Sequence, residues 1–199
     1  MVPDSYVGVF PPGSQGPLIQ NFGFCKSGFL SPELTQTCLD GDITLQAMNL
    51  EWMDKHHDIP VTFVQSKTDA VQISFYIAIG ATTANTSATI TPTEFYEGVN
   101  DIFHLYNPMD NFVSYLVDGS QHCFTPSNVF YTADDKGPKD GGAQSSKPML
   151  YSWVGQLPLT AGGTAQSQCE GGAQGEEQQG RDDNTYCDAS LLPKTYTQV

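Results

Sequence analysis

Two polar side chains, Asp69 and His122, each follow a short apolar run with the composition of a buried strand. Residues 61–64 (VTFV) lead through a polar stretch to Asp69, and residues 112–117 (FVSYLV) lead to the loop that carries His122. In a serine hydrolase, a histidine takes the proton from the nucleophile, and a carboxylate holds the imidazole ring in the required tautomer. These two residue types could therefore supply the acid and the base of a catalytic triad.

The order of these residues along the chain also matters. In the α/β-hydrolase arrangement the nucleophile comes first, the acid second and the histidine third, each on a loop after a strand. Asp118 lies closer to His122, but four residues along one loop seldom place a carboxylate against the ring nitrogen. Two structural alternatives stay open: Asp69 can cap the following helix, which contributes about 1 kcal/mol, and His122 can be a loop histidine bonded to nearby backbone.

Metal chemistry is disfavoured by the spacing of the possible ligands. The four histidines form no H-x-x-x-H or H-E-x-x-H pattern, and the cysteines form no C-x-x-C pair. His56 and His57 fit the C-terminus of a helix, and His104 fits the solvent face of another. We therefore expect no metal site.

Helical patterns surround the two apolar runs. Apolar residues recur at helical spacing in 42–57, with Asp42 as the expected N-cap. The apolar segment at 70–80 that follows Asp69 favours a helix, and a strand is the alternative there. Thr91-Pro92-Thr93-Glu94 is a capping-box pattern that begins a third helix, and residues 148–157 favour a last one. Helices that alternate with short strands predict an α/β fold with a largely parallel sheet, at whose carboxyl edge Asp69 and His122 would meet.

Five cysteines indicate an oxidising compartment. Cys25/Cys38 and Cys169/Cys187 are spaced like local disulfides, which leaves Cys123 with no assigned partner. Because residues 1–41 are rich in proline and glycine, we expect there an ordered loop region, tied by the first disulfide and without long helices.

Charge and hydropathy exclude several classes of partner. The formal net charge is −14, from 8 Lys plus Arg against 22 Asp plus Glu, which disfavours nucleic acid. No run approaches the roughly 20 apolar residues of a membrane span, and the N-terminus lacks a signal-peptide pattern. The sequon at Asn85 is a candidate glycosylation site. We expect a secreted protein whose signal peptide is not in this chain.

Four stretches of the sequence resemble the pectin acetylesterase family, over roughly residues 1–157. They are residues 60–73 (PVTFVQSKTDAVQI), with a glutamine three residues after the aspartate, residues 122–123 (HC), the cysteine-bracketed stretch 25–38 with its SPEL core, and residues 4–5 (DS), which look like the family's D-[AS]-G-F strand end. The family comprises serine carboxylesterases and includes related animal enzymes that deacylate proteins.

The resemblance implies that residues 1–159 are the C-terminal part of an α/β-hydrolase-like esterase domain, with Asp69 and His122 as catalytic residues. The serine would stand on a GxSAGG-type elbow upstream of Met1, together with the oxyanion hole, and the nearby PGSQG around Ser14 lacks the first glycine. The chain alone is then expected to be inactive. Residues 160–199, rich in glycine, glutamine and acidic residues, are expected to form a mobile tail, tied by the second disulfide.

The implied activity is removal of acetyl groups from pectin or a similar polysaccharide, with no cofactor. Acetyl and longer acyl substrates both occur in the wider family, so the leaving acid stays open, and so does the oligomeric state. The alternative from another class is a non-catalytic secreted module that binds glycans or a partner protein.

Overall fold

The computed structural model describes residues 1–83, 88–132, 150–157, 165–170 and 186–191. The α-helices are α1 (Gln15–Asn21), α2 (Pro32–Asp40), α3 (Leu45–Lys55), α4 (Ala70–Thr83), α5 (Pro92–Tyr106), α6 (Val129–Thr132) and α7 (Leu150–Val154). The strands are β1 (Val61–Ser66), β2 (Phe112–Val117) and β3 (Gln168–Cys169), and short 3-10 helices occupy Phe24–Lys26 and Ala189–Leu191.

The three strands form one parallel sheet in the order β1-β2-β3. The register pairs Val61 with Phe112 at one end and Ser66 with Val117 at the other, so β1 and β2 end at the same level. All residues of both strands are buried, as is typical of a parallel strand covered on both faces. The described residues therefore form a mixed α/β fold around a small parallel sheet.

The first five residues extend this sheet beyond β1. Thr62 donates its backbone N–H to the carbonyl of Met1 at 3.0 Å, and Ser5 donates its own to the carbonyl of Val64 at 2.8 Å. Asp4 forms a parallel bridge with Val64. The chain therefore leaves this edge of the sheet at Asp4 and Ser5, close to the ends of β1 and β2.

The sheet separates two hydrophobic clusters, because successive side chains along a strand point to opposite faces. Phe63 and Phe112 belong to the first cluster, together with the apolar face of α5. Val64 and Tyr115 belong to the second, where the ring of Trp153 from α7 packs 5.1 Å from that of Tyr115. Helices on both faces hold the strand ends in place.

Two helix predictions need correction. Helix α3 begins two residues later than expected, because Thr44, not Asp42, is the N-cap and accepts a hydrogen bond from the N–H of Ala47. Residues 1–41, which we expected to be a loop region without long helices, contain the two short helices α1 and α2, of seven and nine residues. Helix α2 is nine residues long and begins with Ser31 as N-cap and Pro32 in its first turn, a local signal that the proline count obscured.

The described residues 165–170 and 186–191 differ from the mobile tail that we expected beyond residue 160. Ala165, Cys169 and Leu191 are buried in the hydrophobic clusters, and β3 pairs with β2 through Leu116 and Cys169. The polar composition of the region hid these few apolar residues. Among the helices of the described residues, none is long and apolar enough to cross a bilayer.

The capping box of α5 is present as predicted. The hydroxyl of Thr91 accepts the N–H of Glu94 at 3.2 Å, and the carboxylate of Glu94 accepts the N–H of Thr91 at 2.7 Å. These contacts satisfy two amide donors that the first turn otherwise leaves free. The helix then buries Phe95, Val99 and Phe103 against the sheet.

Replacing Thr91 by alanine should lower the free energy of unfolding by about 1 kcal/mol, because one helix N-terminal amide loses its acceptor. Urea denaturation measures this change. Thr93→Ala is the matched control, since no partner for its hydroxyl occurs among the described residues. Equal losses in both variants would contradict the assignment of Thr91 as the cap.

Candidate active site

Asp69 and His122 are in contact at the carboxyl ends of adjacent parallel strands. Nδ1 of His122 lies 2.9 Å from Oδ2 and 3.1 Å from Oδ1 of Asp69. The carboxylate of Asp69 is fully buried, whereas the side chain of His122 is 28% exposed. Within the described part of the chain, Nε2 of His122 has no hydrogen-bond partner. The ring is therefore held by one nitrogen and leaves the other available for proton transfer.

Further donors fix the orientation of the Asp69 carboxylate. Its Oδ1 accepts the backbone N–H groups of Val71 at 3.0 Å and Gln72 at 2.9 Å, at the start of α4. Its Oδ2 accepts the side-chain amide of Gln72 at 3.1 Å, and Gln65 lies 3.4 Å away. Asp69 therefore stabilises the helix N-terminus and binds the imidazole at once, so the structural and the functional interpretations do not exclude one another.

The loops that carry the two residues continue the pairing of β1 and β2. We call residues 67–69 the aspartate loop and residues 118–122 the histidine loop. Lys67 donates its N–H to the carbonyl of Val117 at 2.9 Å, and Thr68 donates to the carbonyl of Gly119 at 3.1 Å. The register of the sheet is thus carried forward into the site, which is why Asp69 meets His122.

The chain just after the histidine is held by the first residues of the protein. The carboxylate of Asp4 accepts the backbone N–H groups of Phe124 and Thr125, each at 2.9 Å. The hydroxyl of Ser5 accepts the N–H of Cys123 at 2.8 Å. Ser5 and Cys123 both have positive φ angles, of 64° and 61°, which marks sharp local turns of the backbone. Residues 4–5 therefore act as a clasp on residues 123–125, which follow the histidine loop.

The protonation of Asp4 depends on this clasp. Burial pushes its pKa upward, but the hydrogen bonds from Phe124, Thr125 and Ser5 outweigh burial and hold the pKa below the ordinary value. The donors favour the ionised form, because a carboxylate accepts more hydrogen bonds than a carboxylic acid. The clasp is therefore strongest when Asp4 is ionised.

Three candidate nucleophiles, Ser5, Ser14 and Cys123, are poorly disposed to react. Ser5 is buried, and its hydroxyl donates to Asp4 at 3.0 Å. Ser14, the nearby serine of the sequence analysis, is also buried and donates to the carbonyl of Pro11 at 2.7 Å. Cys123 is a free thiol, but burial and the negative charges of Asp4 and Asp69 raise its pKa, which keeps it in the less reactive protonated form.

The cysteines other than Cys123 form two disulfides. Disulfides join Cys25 to Cys38 and Cys169 to Cys187, the same pairs that the spacing suggested. Asn85 lies outside the described residues. No cluster of three or more His, Cys, Asp or Glu side chains that could hold a metal occurs in the described ranges.

The remaining histidines have roles away from the site. Nε2 of His104 lies 2.8 Å from Oδ2 of Asp188, and the ring of His56 packs 4.6 Å from that of Trp52 at the end of α3. Asp118, the alternative orienting acid, forms an ion pair with Lys67, whose Nζ lies 3.0 Å from its Oδ1. The structure thus pairs His122 with Asp69, the carboxylate that the sequence favoured.

Sequence reasoning missed three residues around the site. Lys67 is completely buried, and its ammonium donates to the carbonyl of Glu170 at 2.6 Å. The side chain of Glu170 accepts the N–H of Asp118 at 2.7 Å, and Gln65 supports Asp69 through the amide of Gln72. A lysine directly after a buried strand is a usable signal, but nothing local points to Glu170, which comes from a distant part of the chain.

No protein-family model, curated protein or solved structure matches this chain. The likeness to pectin acetylesterases therefore rests on the residues quoted for it. The catalytic roles of Asp69 and His122 stay a prediction. The contact between the two side chains is the geometry that those roles require.

Asp69→Asn should change the tautomer of His122. The carboxylate accepts a hydrogen bond from Nδ1–H, whereas the amide of an asparagine can donate to Nδ1 and so favours the proton on Nε2. Long-range ¹H–¹⁵N NMR of the labelled chain distinguishes the two forms, with His56 and His57 as internal controls. An Nδ1 signal of His122 that is the same in both proteins would contradict this geometry.

Asp4→Asn should reduce the free energy of unfolding by about 2 kcal/mol at neutral pH, because the amide nitrogen cannot accept the donors that now bind the carboxylate. Asp101→Asn, at an exposed position of α5, is the control. Since the pKa of Asp4 is lowered by folding, its contribution is complete above the unfolded value of about 3.9 and is lost as the pH falls through the folded value. A difference in the free energy of unfolding between variant and parent that stays constant down to pH 2 would refute the role of ionised Asp4 in the clasp.

Proposed function

We propose that this chain is part of a secreted carboxylic ester hydrolase with an α/β-hydrolase-like fold, in which Asp69 and His122 are the acid and the base of a Ser-His-Asp triad. The contact of 2.9 Å between Nδ1 of His122 and Oδ2 of Asp69 carries this proposal. The paired parallel strands that precede the two loops and the buried, multiply bonded carboxylate support it. The serine is proposed to lie upstream of this chain.

In this mechanism His122 receives the proton of the serine hydroxyl at Nε2 while the serine oxygen attacks the ester carbonyl. Asp69 keeps the Nδ1 proton in place and stabilises the imidazolium. His122 then returns the proton to the leaving alcohol, and an acyl-serine remains. Water then attacks the acyl group with His122 again as base, and His122 passes that proton to the departing serine oxygen, which restores the hydroxyl and releases the carboxylic acid.

The proposed substrate is an acetylated polysaccharide such as pectin, as the resemblance implies. The two disulfides fit an extracellular setting. The pocket that would select the acyl group depends on residues beside the nucleophile, so acetyl is the simplest member of a class that includes longer chains.

Activity measurements on two polypeptides test the proposal. The 199-residue chain should not hydrolyse p-nitrophenyl acetate above background, whereas a longer product that includes coding sequence upstream of Met1 should hydrolyse it and react covalently with a fluorophosphonate probe. In the longer product His122→Ala should reduce kcat about 10⁶-fold, because a triad acts as a unit. His57→Ala, at an exposed position, should have no effect.

Two outcomes would overturn parts of this proposal. Hydrolysis by the 199-residue chain that depends on His122 would place the nucleophile within the chain itself. A longer product whose turnover is unchanged by His122→Ala would exclude the triad.

A second candidate function, a protein-binding module, is favoured by helix α4. Val71, Phe75 and Ile77 are all exposed on it, and Phe75 is 57% exposed. Exposed apolar side chains on an uncharged helix are typical of interaction surfaces. For such a module, Phe75→Ser would abolish partner binding, whereas His122→Ala would leave it intact.

A further inference from the structure

A partly buried ion pair links the two loops of the candidate site. Nζ of Lys67 is 3.0 Å from Oδ1 of Asp118, and the side chain of Lys67 has no exposed surface. The same ammonium donates to the carbonyl of Glu170 at 2.6 Å and lies 5.4 Å from the centre of the Tyr96 ring. Lys67 is therefore enclosed on several sides by groups that stabilise a positive charge.

The ion pair and its contacts with Glu170 bring together three segments that are distant in sequence. Lys67 belongs to the aspartate loop and Asp118 to the histidine loop, and Glu170 follows β3. The side chain of Glu170 accepts the backbone N–H of Asp118 at 2.7 Å. Cys169 and Cys187 form a disulfide next to Glu170, and Sγ of Cys187 lies 3.6 Å from Nζ of Lys67. The third segment is thereby covalently tied at the point where it contacts Lys67.

We propose that Lys67 and Asp118 are positioning residues, which set the separation of the aspartate and histidine loops and so the contact between Asp69 and His122. Lys67 stands two residues before Asp69, and Asp118 stands four residues before His122. A buried ammonium is strongly destabilised when its counter-ion moves away, so the two loops cannot separate without exposing or isolating a charge. The inference rests on the proposed function, since positioning matters only if the pair is catalytic.

The competing explanation is that backbone pairing alone holds the loops. Lys67 and Thr68 donate backbone hydrogen bonds to Val117 and Gly119, and these bonds do not need the side chain of Asp118. A variant that removes only the charge of Asp118 therefore separates the two explanations. Asp118 is suited to this change because 26% of its side chain is exposed and an asparagine has the same size.

The test compares Asp118→Asn with Asp110→Asn in the 199-residue chain. Asp118 and Asp110 flank β2 at opposite ends, and Asp110 is exposed, so both variants lose one negative charge. The readout is the rate at which the Nδ1 proton of His122 exchanges with solvent, measured by ¹⁵N-edited NMR. We expect about tenfold faster exchange in Asp118→Asn, because the hydrogen bond opens more often, and no change in Asp110→Asn.

A double-variant cycle with Lys67→Met shows whether the ion pair acts as a unit. If it does, Lys67→Met combined with Asp118→Asn should increase the exchange rate no further than the larger single change. Should Lys67→Met fail to fold, the Asp118→Asn measurement alone decides.

An unchanged exchange rate in folded Asp118→Asn would overturn the inference, and so would equal acceleration in both aspartate variants. The readout needs neither a nucleophile nor a substrate. A failure of the positioning role therefore appears in the spectrum of His122, whereas a failure of the proposed function appears in the hydrolysis and labelling of the longer product.

Discussion

The parallel pairing of β1 with β2 is the interaction on which the candidate site depends. Because the register runs from Val61 opposite Phe112 to Ser66 opposite Val117, both strands end at the same level. The residues that follow both strands then continue the same hydrogen bonding into the loops. A shift of one strand by one residue would exchange the buried faces of the sheet and would also carry His122 away from Asp69.

Much of this arrangement can be predicted from the sequence. The two strands and helix α5 have strong local signals, namely continuous apolar runs and a capping box, and the structure has them close to where those signals lie. Asp69 and His122 could be singled out because each follows such a run. Their contact followed from one general property, that the carboxyl ends of neighbouring parallel strands lie at one edge.

What the sequence did not reveal depends on contacts between distant segments. Asp4 and Glu170 bind backbone groups around the site, but no periodicity or spacing marks a carboxylate for such a partner. The start of α3 was misplaced because Asp42 and Thr44 are both acceptable caps, and local propensity does not choose between them. The packing of β3 was missed because two residues are too short a strand to leave a pattern.

The clasp between Ser5 and Cys123 joins residues that are 118 positions apart in the chain. Contacts of such large sequence separation close large loops, so they form late, after the entropy of closing the intervening chain has been overcome. The turn that follows His122 is therefore completed only when the N-terminal segment has docked on β1. A chain in which β1 and β2 have paired but the N-terminal segment has not docked would keep the contact between Asp69 and His122 and would lack the hydrogen bonds that hold the turn after His122.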